Sequence, residues 1–422
     1  MVMCYKGGMM RPRFIAPLIA ALAVSAGLVG LPSSAAQSGS VPYPVDDPFY
    51  TQPPSLADAE MGAVVDSREV ALDGFLAKRN YTAWQLKYVS QDTQGNPWTA
   101  VATIIKPQDA IRGRLFTYIP WIDALDSRCN PSYQLRAGLP YQSTTGMITE
   151  LMNVANLVDR GLTVMIPDNL GPFNQFAAGY VEGRSVLDGI RAAENFGPAQ
   201  LPGSDTPVGI FGYSGGARGA EFAAELAPEY APELNLIGTV AGGLPVDMAS
   251  AAALMNGGPF AGINLSSSFG IDRAYPELNI PALYADPGLG ARLGGLCAAE
   301  VLAGHAFTSV QDYSVNRAWP LAEPGVARVL ETLRAGNYGT PTTPVYLFMA
   351  IDDEIAPIQD ADDLVSRYCG KGVDVTYVRY PVVEHVAAEL VGLDTAMRWL
   401  DDRFAGLPAA NTCGAPGQAL TG

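Results

Sequence analysis

The chain has 422 residues, with 42 acidic side chains against 26 basic ones, a formal charge of −16 and a mean hydropathy of +0.12. A chain of this length buries a large core, in one domain or two, and no internal repeat or low-complexity linker divides it. The acidic balance argues against nucleic acid and anionic lipid head groups as partners.

Lys6, Arg11 and Arg13 precede an apolar run over 14–31 and then Pro32-Ser33-Ser34-Ala35-Ala36, the layout of a secretory signal cleaved after Ala36. A membrane anchor is the alternative, but Pro17, Gly27, Gly30 and the small-residue exit favour removal. Cys4 lies ahead of the run, where a lipoprotein anchor finds no support. Removal leaves 23 basic residues against 42 acidic ones, a net charge of −19. It also leaves Cys129, Cys297, Cys369 and Cys413, an even number in an oxidising compartment whose wide spacing lacks any short zinc-type pairing. Two disulfides are the expected use, with free buried thiols the alternative.

Residues 37–75 are rich in Pro, Asp and Ser and are expected to wrap the surface as an N-terminal arm, with regular structure beginning later. An alternating strand follows at 99–105, then short apolar strands at 115–119 and 162–166, and a helix over 180–195. The segment 207–220, PVGIFGYSGGARGA, climbs as an apolar strand into Gly212-Tyr213-Ser214-Gly215-Gly216 and gives way to a helix over 217–226. Further strands are expected at 236–240, 345–350 and 373–380, with amphipathic helices at 360–368 and 386–404. Strands alternating with helices predict a doubly wound, mostly parallel α/β sheet covered on both faces. Between 245 and 340 no strand is evident; Ala, Leu, Gly and Met dominate around Phe260, Phe269 and Phe307. That stretch reads as a helical insertion between core strands, placed as a cap over a site, with a plain structural subdomain as the alternative. The chain thus divides into a signal (1–36), an arm (37–75), a first core part (76–244), the insertion (245–340), a second core part (341–405) and a tail (406–422).

The spacing G-x-S-x-G has a steric reason: glycines two residues either side let neighbouring backbones pass closely while a serine hydroxyl projects from a strained elbow. Ser214 is therefore the candidate nucleophile, and a serine hydroxyl needs a base. Only His305 and His385 exist. His385 follows a predicted strand and precedes a helix, in a loop at the sheet edge where open α/β folds place their sites, whereas His305 lies inside the insertion. An acid must orient the imidazole, and Asp352, Asp353 and Glu354 all follow the strand at 345–350. Spacing alone leaves the choice among them open.

Several ordered segments together resemble the secretory lipases, the fungal and actinobacterial group of the α/β-hydrolase fold that includes fungal lipase A. They are Gly212-Tyr213-Ser214-Gly215-Gly216, Asp353-Glu354-Ile355-Ala356-Pro357, and Tyr380-Pro381 followed by Glu384-His385 and Glu389. Gly179-Tyr180-Val181-Glu182-Gly183, Leu187-Asp188-Gly189-Ile190-Arg191-Ala192 and Asn256-Gly257-Gly258-Pro259-Phe260 are similar too, and the likeness spans residues 80–415. The resemblance implies Asp353 as the acid beside Ser214 and His385. It places Asp123, in YIPWIDALDSRCNPSY (118–133), at an oxyanion-donor position whose backbone N–H acts with that of Gly215. It further implies the pairings Cys129–Cys297 and Cys369–Cys413. The chain departs from the fungal pattern at Trp121-Ile122 and throughout the insertion after Gly262.

The function so implied is a secreted serine carboxylic-ester hydrolase, a lipase cleaving acylglycerols or other lipid esters through an acyl-enzyme, with no cofactor and no metal. An esterase on short-chain or polyester substrates, an acyltransferase and a serine peptidase share the same chemistry; a non-catalytic binding protein on the hydrolase fold is the alternative of another class. The expected partners are an ester substrate and, transiently, a lipid–water interface, with no nucleic acid and no obligate protein partner.

Overall fold

The computed structural model describes residues 41–138 and 145–414; the signal expected over 1–36 lies outside them. Nine strands form one sheet: β1 (Val64–Glu69), β2 (Tyr81–Gln91), β3 (Pro97–Pro107), β4 (Leu115–Ile119), β5 (Thr163–Pro167), β6 (Val208–Tyr213), β7 (Leu236–Gly242), β8 (Val345–Ala350) and β9 (Val375–Tyr380). Their order is β1-β2-β3-β5-β4-β6-β7-β8-β9. The pairs β1–β2, β2–β3 and β3–β5 are antiparallel, and β5 through β9 run parallel. In β4, β6 and β8 every residue is buried, as expected where helices cover both faces of a sheet.

The helices are α1 (Pro131–Ala137), α2 (Thr145–Asp159), α3 (Gly179–Asn195), α4 (Gly215–Tyr230), α5 (Met248–Met255), α6 (Ala261–Ala274), α7 (Leu289–Leu293), α8 (Ala298–His305), α9 (Pro324–Thr332), α10 (Ile358–Gly370) and α11 (His385–Phe404). On one face, Leu151 and Val154 of α2 and Trp399 and Leu400 of α11 pack on Tyr118, Phe211 and Phe348. On the other, Val186 and Ile190 of α3 and Ala220 of α4 meet Ile119, Met165 and Ile210, while Leu364 and Tyr368 of α10 meet Val345 and Leu347.

Two readings of the amino-terminal third need correction. The arm expected to be irregular over 37–75 contains β1, and the sheet gains β2, which pairs with β3 along its whole length and lies outside the strands expected from the sequence. Gln85 and Lys87 break the apolar pattern of β2, yet both are buried. The polar groups are satisfied by chain distant in sequence: Arg68 Nε donates to Gln85 Oε1 at 2.8 Å, and Lys87 Nζ donates to the carbonyl of Thr51. Helices α1 and α2 likewise lie outside the helices expected from the sequence.

Between β7 and β8 lie α5–α9 and short 3₁₀ turns, with one isolated bridge, Tyr284–Ser314, and no strand. This insertion has its own apolar core, in which Ile263, Leu265, Phe269 and Leu293 are joined by Ile122 and Leu125 from after β4, Phe176 from after β5 and Ile355 from after β8. Three further ties fix it to the β4 loop. Cys129 is disulfide-bonded to Cys297, with Cα atoms 5.6 Å apart; Arg128 Nη2 donates to Glu300 Oε2 at 2.9 Å; and Arg273 Nη1 donates to the Leu125 carbonyl at 2.6 Å. A second disulfide, Cys369–Cys413, anchors the tail to α10, and Thr412 N donates to the Val375 carbonyl at 2.8 Å along the free edge of β9.

The seam between insertion and β4 loop yields a stability prediction. Replacing both Cys129 and Cys297 by alanine is expected to cost about 2–5 kcal/mol, since the bond closes a loop of 168 residues in the unfolded chain. Calorimetry of the double variant measures this, and an unchanged Tm would show that the other ties hold the seam alone.

Candidate active site

The carboxyl ends of β4, β6, β8 and β9 lie together, and the loops leaving them bring the candidate residues into contact. At the end of β6 the backbone of Ser214 takes φ 52° and ψ −120°, a conformation that costs a non-glycine residue energy and is held by its surroundings. Glycine is obligatory on both sides. A Cβ at Gly212 would stand 2.2 Å from the Gly216 carbonyl oxygen, and one at Gly216 would stand 2.0 Å from that of Ile119. Ser214 N also donates to the Gly242 carbonyl at 2.8 Å, so β4, β6 and β7 together clamp the turn.

His385 opens α11. Its Nε2 lies 2.8 Å from Ser214 Oγ, and its Nδ1 lies 2.8 and 2.9 Å from the two carboxyl oxygens of Asp353. Asp353 is aimed by its own loop, because Oδ1 accepts the N–H groups of Ile355 at 2.9 Å and Ala356 at 2.7 Å. Glu354 Oε2 accepts the backbone N–H of His385 at 3.0 Å, Glu384 caps α11 by accepting from Val386 and Ala387, and the Tyr213 hydroxyl donates to the His385 carbonyl. Burial disfavours a charged imidazole, but hydrogen bonding and attraction to Asp353, with smaller help from Glu354 and Asp123, outweigh it and hold the His385 pKa above the ordinary value. A hydroxyl so placed can pass its proton to Nε2 as its oxygen attacks an electrophilic carbon, and the imidazolium formed is stabilised at once.

The other candidates separate clearly. Asp352 is exposed, and Glu354 meets the backbone of His385 and not its ring. His305 ends α8, half-buried, with Nδ1 2.8 Å from the Tyr313 hydroxyl inside the insertion. Asp123 follows β4 at φ 47°, its carboxyl packed so closely on Gly215 that a Cβ there would fall 2.0 Å from Oδ1. Burial, reinforced by Glu182, raises the Asp123 pKa to about 7 against the opposing pull of His385 and Arg218. Gly215 begins α4, so its N–H has no carbonyl one turn back to serve.

Beneath His385 lies a buried network that only in part carried a sequence signal. The Tyr118 hydroxyl donates to Glu150, and Asn153 Nδ2 donates to Tyr118 Oη at 2.9 Å and to Glu389 Oε1 at 3.3 Å. Burial raises the pKa of Glu150, aided by Glu389, and that of Glu389 to about 7. Glu389 stands one helical turn after His385 and was visible in the motif; nothing in the sequence marked Glu150. Among the described residues no cluster of His, Cys, Asp and Glu is arranged to hold a metal ion.

The family described as secretory lipase matches residues 135–412. Lipase A of Moesziomyces aphidis is 34% identical, with 97% of this chain and 91% of that protein aligned. A Mycobacterium tuberculosis protein named a probable inactive lipase is 34% identical over 86% of this chain and 83% of its own. The X-ray structure of Candida antarctica lipase A in its closed state superposes with a TM-score of 0.83 at 34% identity, covering 90% of each chain.

The separation of the adjacent aspartates is directly testable with a chromogenic ester. Asp353→Asn removes the charge facing His385 Nδ1 and is expected to lower kcat on the order of 10⁴-fold, by analogy with other triad acids. Asp352→Asn, at an exposed side chain, should leave kcat within about twofold, as surface substitutions usually do. The reverse result would place the acid one residue earlier.

Proposed function

The chain belongs to the secretory lipase family, and on that footing we propose that Ser214, His385 and Asp353 hydrolyse lipid carboxylic esters outside the cell through an acyl-enzyme intermediate. The observation that carries this is the unbroken contact from Ser214 Oγ through both ring nitrogens of His385 to Asp353. Ser214 Oγ attacks the ester carbonyl while Nε2 takes its proton. The backbone N–H groups of Asp123 and Gly215 receive the developing oxyanion, Nε2 returns the proton to the departing alcohol, and water repeats the sequence to free the acid.

The apolar surroundings favour a lipid substrate over a polar one. Ile122, Leu125 and Ile355 line the loops that carry the site and merge with the core of the insertion, where each buried methylene of an acyl chain is worth about 0.8 kcal/mol. Ser214 is only 8% exposed, so substrate enters when the cover over it yields, and the insertion serves as that cap in this reading. For location, the family is secretory and residues 1–36 have the layout of a cleaved signal; no helix among the described residues is long and apolar enough to cross a membrane. A non-catalytic role has a precedent in the name of the mycobacterial relative, but the hydrogen-bonded Ser214 and His385 here favour catalysis.

Hydrolysis of p-nitrophenyl esters and emulsified triacylglycerols across an acyl-length series should show activity extending to long chains. Confinement to acetate and butyrate would make the protein a short-chain esterase. Ser214→Ala is expected to remove 10⁴-fold or more of kcat with the fold intact, roughly the scale of nucleophile loss in serine hydrolases, with His385→Ala similar and His305→Ala nearly silent. Full activity in Ser214→Ala would refute the mechanism.

A further inference from the structure

Asp123 is an improbable residue for its position unless its side chain has a use. It holds a left-handed backbone at φ 47°, is only 7% exposed, and its Oδ1 has no hydrogen-bond partner, where a buried acceptor ordinarily finds one. That oxygen is pressed against Gly215, next in sequence to the nucleophile and first residue of α4. A carboxylate there would face the place where negative charge forms in the reaction and would oppose it. A carboxylic acid has an O–H to give instead.

We propose that the Asp123 side chain acts as a neutral carboxylic acid, donating its O–H to the tetrahedral oxyanion as a third donor beside the backbone N–H groups of Asp123 and Gly215. The idea rests on the lipase reading above. The proton stays on Asp123 throughout: the hydrogen bond strengthens as charge develops on the substrate oxygen and weakens as the intermediate collapses, with no bond to the carboxyl broken.

The charged groups facing Asp123 come from four helices. Glu182 of α3 and Glu150 of α2 oppose its ionisation, and Arg218 of α4 and a protonated His385 of α11 favour it. Arg218 is largely committed elsewhere, since its Nε lies 3.4 Å from Glu182 and both side chains are 1% exposed. Burial and Glu182 prevail, and with a pKa raised to about 7 the group is neutral below that pH and ionised above it. Activity should therefore rise on the acid side as His385 loses its proton and fall on the base side as Asp123 loses its own. When a single proton is shared between them, the productive form has it on Asp123; the imidazolium–carboxylate form lacks both base and donor.

Two substitutions separate this role from a structural one, because both residues accept a left-handed backbone and keep the backbone N–H. Asp123→Gly removes the donor and is expected to lower kcat at pH 6 on the order of 10²–10³-fold with little change in KM, the usual effect of losing one oxyanion donor. Asp123→Asn restores a donor that does not ionise, so it should recover most of that loss and lack the base-side decline near pH 7 seen in the parent. A Gly variant as fast as the parent, or an Asn variant that keeps the decline, overturns the proposal. Circular dichroism establishes folding; if neither variant folds, the parent profile decides, since a flat rate from pH 6 to 9 overturns the proposal too. A parent protein inert on every ester would instead refute the functional reading.

Discussion

The arrangement depends on how closely three strands approach at one point of the sheet edge. The turn at Ser214 exists because Gly216 can lie against the carbonyl of Ile119 and because the Gly242 carbonyl, in β7, takes the serine N–H. A side chain at either flanking glycine would push β4, β6 and α4 apart. From that contact follow the outward hydroxyl, the free N–H at the start of α4, and the proximity of the β4 loop that brings Asp123 onto Gly215. The strain is local and backbone-borne, and it persists because buried parallel strands on both sides leave the turn no other course.

Around this point the molecule collects buried carboxyl groups. Asp353, Asp123, Glu150, Glu182 and Glu389 are each at most 8% exposed. Each costs desolvation, and the ways they are accommodated differ. Asp353 accepts two backbone N–H groups and faces an imidazole, Glu182 stands beside Arg218, and Glu150 takes the Tyr118 hydroxyl. Asp353, with smaller help from Glu354, favours the positive charge that appears on His385, and the hydrogen-bond network from Tyr118 through Asn153 to Glu389 joins the end of β4 to the helix carrying the histidine. The β4 loop and His385 are thus held by one polar network and, on the loop's side, by the apolar core of the insertion.

Legibility in the sequence followed how local each cause is. Ser214 announced itself because its constraint is contained in five residues, and His385 because a strand end and a helix start bracket it. Asp353 could not be told from Asp352 and Glu354 on physical grounds: the choice depends on which side chain the turn toward Ala356 directs inward, and only resemblance supplied the register. β2 stayed hidden because Gln85 and Lys87 are satisfied by Arg68 and Thr51, partners distant in sequence. Glu150 carries no local signal for the same reason, as its place on α2 is explained only by Tyr118 and Glu389. In the insertion the helical character was readable from composition, but its division into five short helices was not, since their ends depend on tertiary packing.

The tail beyond α11 touches none of this chemistry, yet it answers a hazard of the architecture. An open sheet ends in a strand with unpaired peptide groups, and β9 is such a strand. Thr412 N occupies the Val375 carbonyl, Tyr377 N is taken by Thr412 Oγ1 at 3.0 Å, and Cys413 is bolted to α10 through Cys369. The last described residues therefore close to other chains part of a template for added strands, on the strand that leads into the loop to His385. A covalently pinned strip of polypeptide thus occupies part of the edge on which copies of the chain could otherwise pair, and its loss would bear on solubility before it bore on rate.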